Sequence, residues 1–150
     1  MASAVANATM KKFGHPATLV AETAHWVVLA RPAQITLGSL VLVCTEPATG
    51  FGQLSPAAFA DLQGAVARIE KMLKGFVDYS KINYLMLMMV DPDVHFHVLP
   101  RYQGTRDFQG LSFPDAAWPG PPALAPAVTP EPAAMANLVE ELKHRWPRTV

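Results

Sequence analysis

The sequence predicts a single domain that mixes short β-strands with one long amphipathic helix. Apolar runs of four to nine residues, bounded by turn-forming residues, recur along the first two thirds of the chain. One stretch after Ser55 instead repeats its apolar residues at spacings of three and four. A chain of 150 residues, 51% of them hydrophobic, can bury one core of ordinary size.

Residues 1–16 are Ala-rich and lack periodicity, so they are expected to form a flexible N-terminal arm. Their apolar stretch is too short for a secretory signal, and no basic start precedes it. A domain is expected over 17–105. Thr18-Leu19-Val20-Ala21 and Trp26-Val27-Val28-Leu29 read as a hairpin across Thr23-Ala24-His25, and Arg31-Pro32 ends its second strand. Gly38 to Thr45 is nearly all apolar, as in a central strand covered on both faces or paired across an interface. After a Pro- and Gly-containing loop, Ser55-Pro56 supplies an N-cap and a first-turn proline. Phe59, Leu62, Val66, Ile69 and Leu73 then mark a helix, with Gly75 expected to stop it after about five turns.

Ile82 to Val90 and Val94 to Tyr102 read as two strands with only Pro92 and Asp93 between them, a tight hairpin. From Gly104 the composition shifts towards Gly, Pro, Asp and Trp, and Trp118 to Pro132 is mostly Pro and Ala. Residues 106–150 are therefore expected to be a Pro-rich extension that wraps the surface without regular structure. It ends in a short helix marked by Met135, Leu138, Val139 and Leu142.

Lys plus Arg and Asp plus Glu number 12 each, so no global field attracts nucleic acid or an anionic membrane. No segment approaches the ~18 apolar residues of a membrane span. Cys44 is the single cysteine and lies in an apolar run, which reads as a buried core thiol and fits a reducing, cytoplasmic setting.

Chemistry concentrates in Asp93-Val94-His95-Phe96-His97-Val98-Leu99-Pro100-Arg101. On a strand, alternate side chains share a face, so His95 and His97 point the same way, about 6.5–7 Å apart, with Asp93 and Leu99 in line. The pair could be plain surface histidines. It could bind a metal, although a second ligand cluster is missing: His15, His25 and His144 are scattered through the rest of the chain. It could also attack phosphorus, since a neutral imidazole offers a lone pair and His97 could hold the phosphoryl oxygens.

This stretch resembles the histidine triad motif, His-φ-His-φ-His-φ-φ with φ apolar, and Val98-Leu99-Pro100-Arg101 is similar to the fragile histidine triad branch and its bacterial relatives. The order of hairpin, Gly38 strand, Ser-Pro helix and two motif strands fits as well, over roughly Thr18 to Tyr102. The resemblance implies an α+β fold with a five-stranded antiparallel sheet and a homodimer whose sheets join. It implies a hydrolase acting at the α-phosphorus of a nucleoside polyphosphate or dinucleoside polyphosphate, with no metal or cofactor. Nucleotidyl transfer or phosphorolysis, or nucleotide binding without turnover, are the alternatives. Carried over, His95 is the nucleophile that becomes nucleotidylated and His97 contacts the phosphate.

Asp93 stands where the first histidine of the triad belongs, and is expected to orient an imidazole or to cap the turn at Pro92. Ser39, after Gly38, replaces a histidine found in many members. Asn83 could contact phosphate or ribose, Arg31 and Gln34 fall in the segment that lines the nucleoside pocket, and Arg101 could neutralise distal phosphates. Trp118 could close the pocket, pack on a partner subunit or pack in the core.

Overall fold

The computed structural model describes residues 5–150. Its elements run α1 (Ala8–Lys12), β1 (Leu19–Glu22), β2 (Trp26–Ala30), β3 (Leu40–Cys44), α2 (Pro56–Val77), β4 (Lys81–Leu85), β5 (His95–Arg101), β6 (Thr105–Phe108), β7 (Leu111–Pro114) and α3 (Pro132–Arg145). Five strands form one antiparallel sheet in the order β1-β2-β3-β5-β4, and β6 and β7 form a separate hairpin. This is an α+β architecture with β4 and β1 at the sheet edges.

Every residue of β2 and β3 is buried, as their unbroken apolar runs require of strands covered on both sides. On one face, α2 and α3 set Ile69, Leu73, Leu138 and Leu142 against Trp26, Val28, Leu40, Leu42, Cys44 and Val98. The other face carries Val27, Leu29, Val41 and Val43, and its cover is Met10 and Phe13. From Ala8 onward the N-terminal segment is thus packed structure and not the flexible arm expected there, while residues 1–4 of that expectation lie outside the described residues. Four apolar side chains on that face would otherwise meet water, and Met10, fully buried, removes them from it. The Asn7 side chain caps α1 by accepting from the Met10 amide at 2.9 Å. With five residues, α1 is too short to leave a helical period in the sequence.

Helix α2 begins as the sequence indicates: Ser55 Oγ accepts from the Ala58 amide at 3.1 Å, and Glu46 in turn holds the Ser55 amide at 2.9 Å. It runs past Gly75 and ends where Asp78 takes a φ of 47°. Gly75 keeps helical bonding, and its carbonyl accepts from Arg145 Nη1 at 2.9 Å. Gly38, by contrast, needs its glycine. Its φ is 94°, and a Cβ there would lie 2.9 Å from Leu73 Cδ2.

Two expectations about the later strands are corrected. The run Ile82 to Val90 leaves the sheet at Leu85, and residues 86–94 form an open loop in place of a two-residue turn. Its hydrophobicity serves no pairing, since β4 is an edge and Met89 and Val90 are 83% and 79% exposed. Beyond Gly104, where irregular chain was expected, β6 and β7 pair. Tyr102 ties them in: its hydroxyl accepts from the Leu37 amide and donates to the Phe113 carbonyl, both at 2.8 Å. The boundary expected at 105/106 falls inside β6, and α3 shares the main core. No helix is long and apolar enough to cross a membrane among the described residues.

Candidate active site

Strand β5 pairs His95 with Val43 and His97 with Val41 and Leu85, which sets both imidazoles on the sheet face covered by α1. Only 2% of His95 and 6% of His97 are exposed. Their ring centroids lie 5.3 Å apart and nearly perpendicular, and Phe13 packs at 6.3 Å from His95 and 5.7 Å from His97.

The hydrogen-bond partners fix both tautomers. His95 Nδ1 lies 2.7 Å from the Asp93 carbonyl oxygen, which can only accept, so Nδ1 carries the proton and Nε2 carries the lone pair. His97 is the mirror case. Arg31 Nε, which can only donate, points at His97 Nδ1 at 3.4 Å, leaving Nε2 as the protonated donor. Burial, the Arg31 guanidinium and neighbouring His95 together hold His97 down at about 4, so it is neutral near pH 7. One imidazole thus presents a lone pair at Nε2 and the other a hydrogen-bond donor, two residues apart. Burial also lowers the Arg31 guanidinium from its ordinary value and raises the Cys44 thiol, which is inert core as expected.

The other candidates divide. Asp93 Oδ2 accepts from the Thr9 amide at 3.1 Å and the Thr9 hydroxyl at 2.9 Å, so its carboxylate faces α1 and not an imidazole; the group that orients His95 is its carbonyl. Arg31 donates to the Ala33 carbonyl through Nη1, and its Nη2 has no partner among the described residues. Gln34 and Ser39 do not line a pocket. Gln34 is wholly buried, donates to the Arg31 and Ser39 carbonyls and accepts from the Gly38 amide, while Ser39 bonds both amide and carbonyl of Thr36. Both pin the turn between β2 and β3, whose backbone also pairs with Val128 through Gln34, so that its polar groups are satisfied inside the fold.

Arg101 is also committed within the fold, because the chain that follows it carries a buried acid. It pairs with Asp115 at 2.7 and 3.0 Å, donates to Asn83 Oδ1 at 2.8 Å and reaches the Gly120 carbonyl at 3.0 Å. Asn83 keeps its amide N–H groups free of protein partners among the described residues. Together with Lys81, Arg101, Trp118 and Gly120 it lines a cleft of about 420 Å³. By register Asn83 pairs with Leu99, on the histidine face two residues beyond the partner of His97. Arg106 is spent on the Val77 carbonyl and the Tyr102 ring. Thr9, Phe13 and Asp115 carried no sequence signal, since each acts through a contact distant along the chain.

The sequence matches no protein-family model and no curated protein sequence. Solved structures do match over nearly its whole length. A histidine triad protein from Bradyrhizobium japonicum aligns at a TM-score of 0.74 and 21% identity, covering 95% of this chain and 97% of that one. The chain has the histidine triad fold. A histidine triad protein from Sinorhizobium meliloti 1021 aligns at 0.73 and 17% identity, over 94% of this chain and 96% of that one. A hypothetical histidine triad nucleotide-binding protein from Sulfolobus tokodaii aligns at 0.62 and 15% identity, over 85% and 82%. With a five-stranded antiparallel sheet, one long helix and a C-terminal helix, the fold is the α+β architecture that the resemblance around His95 implied.

Proposed function

We propose that this protein is a histidine triad enzyme that hydrolyses a nucleoside or dinucleoside polyphosphate at its α-phosphorus through a nucleotidyl-His95 intermediate. The observation that carries this reading is the opposed pair of Nδ1 partners, an accepting carbonyl at His95 and a donating guanidinium at His97, which leaves the neutral rings with a lone pair at His95 Nε2 and an N–H at His97 Nε2. In the first step His95 Nε2 bonds to the α-phosphorus, and the bond from phosphorus to the bridging oxygen breaks with its electron pair going to the leaving group. The positive charge that develops on His95 is stabilised by the short bond from Nδ1–H to the Asp93 carbonyl. His97 Nε2–H and the free Nη2 of Arg31 hold the phosphoryl oxygens as their charge grows. Water then attacks the α-phosphorus, the phosphorus–nitrogen bond breaks with its electron pair returning to His95 Nε2, and the monophosphate leaves as the proton lost by the water passes to solvent. The cleft at Asn83 and Lys81 suits the rest of the substrate: it offers amide donors, the Trp118 ring and two cationic side chains, Lys81 and the Asp115-paired Arg101.

Transfer to a nucleophile other than water shares the covalent half-reaction and differs only in the acceptor. Rapid-quench mass spectrometry with a panel of nucleoside and dinucleoside polyphosphates tests the reading. The expected species is an adduct one nucleoside monophosphate heavier than the chain, absent from His95→Ala. Tight nucleotide binding with neither adduct nor monophosphate release would make the protein a binder, and full activity of His95→Ala would overturn covalent catalysis.

A further inference from the structure

We propose that Thr9 is a positioning residue for His95, acting through Asp93, so that helix α1 belongs to the active site although it comes from the far end of the chain. The catalytic consequence rests on the function proposed above; the structural claim does not.

Thr9 and Asp93 are 84 residues apart and exchange three hydrogen bonds. The Thr9 amide and hydroxyl donate to Asp93 Oδ2 at 3.1 and 2.9 Å, and the Asp93 amide donates back to Thr9 Oγ1 at 3.1 Å. Thr9 is fully buried, so these bonds are shielded from competing water. They grip both the side chain and the backbone of the residue whose carbonyl holds His95 Nδ1 at 2.7 Å. Asp93 needs such an anchor. It sits in the open loop 86–94, outside the sheet ladder, next to exposed Met89 and Val90. The next residue, buried Val94, is held by its carbonyl accepting from the Cys44 amide at 2.9 Å, so Thr9 supplies the second hold on the peptide unit that carries the Asp93 carbonyl. Without it that carbonyl can swing away from the ring, and an imidazole without an acceptor at Nδ1 moves its proton between the two nitrogens.

The rest of α1 acts in the same direction. Lys12 pairs with Asp91 at 3.2 Å, a second hold on the same loop. Asn7 Nδ2 donates to the Cys44 carbonyl at 3.2 Å and fixes the helix to β3, the strand beside β5. Phe13 confines the planes of both imidazoles. Aspartate at the first position of the motif therefore has a chemical reason: a short carboxylate accepts both Thr9 donors, which a neutral imidazole ring, with one acceptor nitrogen, cannot do.

The test uses Thr9→Val, which keeps the shape and removes the hydroxyl, beside Thr9→Ser, which keeps the hydroxyl. Nitrogen-15 spectra of the full-length protein without nucleotide report the tautomer of each histidine directly. Wild type is expected to show His95 protonated at Nδ1 alone. Thr9→Val is expected to show an Nδ1/Nε2 mixture at His95 with His97 unchanged, and Thr9→Ser to return the single tautomer. Turnover should follow, with kcat of Thr9→Val lower by about tenfold or more at a KM within about threefold, because the correct tautomer is needed at the chemical step. Should Thr9→Val fail to fold, Asp93→Ala removes the same contact from the other side and is read in the same spectra. An unchanged His95 tautomer in the folded variant would overturn the proposal, as would Thr9→Ser behaving like Thr9→Val, which would leave only packing. If no nucleotide is turned over, the spectra still decide the positioning claim, and only the proposed function fails.

Discussion

His95 and His97 have the same ring and opposite hydrogen-bond polarity, and this separates what their loss should do. His95→Ala removes the nucleophile while leaving Arg31, His97 and the Asn83 cleft in place. Turnover is expected to drop by more than about a thousandfold with nucleotide affinity within about tenfold, which is about 1.4 kcal/mol. Retention of a tenth of the activity in single-turnover kinetics would rule out His95 as nucleophile. His97 predicts a pH effect on stability. Folding lowers it from 6.5 to about 4, so between those values the unfolded chain binds a proton that the folded chain refuses. Its contribution is complete above about pH 6.5 and is lost as pH falls towards about 4. Thermal midpoints should fall over that window, and His97→Asn should flatten the slope; equal slopes in the two proteins would show that His97 titrates alike in both states. At this scale the sequence was informative where neighbours act on one another. Alternation on a strand was enough to put His95 and His97 on one face. It could not reveal that Gln34, Ser39 and Arg101 are consumed inside the fold, because their partners lie in turns and in a segment with no pattern of its own.

Arg101 joins elements, and its effect belongs at that level. It fastens the end of β5 to the chain after β7 by a buried pair with Asp115 and to β4 by Asn83. Arg101→Met would strand the Asp115 carboxylate out of water, so urea unfolding should show a loss of about 3–5 kcal/mol. Arg101→Met with Asp115→Leu should recover much of it. If the single and double variants were equally unstable, the loss would lie in packing and not in an unpaired charge. The elements that could be read in advance were those whose pattern is local: the hairpin β1–β2, the buried strand β3, the Ser55 cap of α2, and α3. Those misjudged were set by distant partners. Helix α1 covers a sheet face that would otherwise be open, and β4, an edge strand, leaves the sheet at Leu85. The composition of residues 104–114 concealed a hairpin held by Tyr102 and Phe113.

Across the whole molecule, apolar surface is distributed unevenly, and the imbalance predicts a homodimer. Beside the edge strand β4, Leu87, Met89 and Val90 are exposed. On the helix side, Phe51 and Phe59 are also exposed; Phe51 stacks on Phe59 at 5.3 Å and on Phe96 at 5.8 Å. A cleft of about 130 Å³ on the same side of the sheet is lined by Leu42, Leu62, Val66, Tyr84 and Phe96. Phe59, Leu62 and Val66 belong to the apolar stripe that marked α2 in the sequence, yet that stripe is only partly spent on the core: Ala58, Ala65, Ile69 and Leu73 are buried and Phe59 is not. A helix face, an open strand edge and a loop thus carry exposed apolar side chains, the kind of surface that marks an interaction site. A second copy related by a two-fold axis would set the same surface against itself and could extend the sheet through β4. Light scattering at micromolar concentration should therefore give the mass of two chains. Met89→Glu changes a side chain open to solvent in the single chain, so it should yield monomer while moving its own stability by only about 0.5 kcal/mol, and Phe59→Glu, which also loses the Phe51 contact, should yield monomer at a larger cost in stability. A wild-type mass of one chain, or a dimer that both glutamates leave intact, would place the contact elsewhere or remove it.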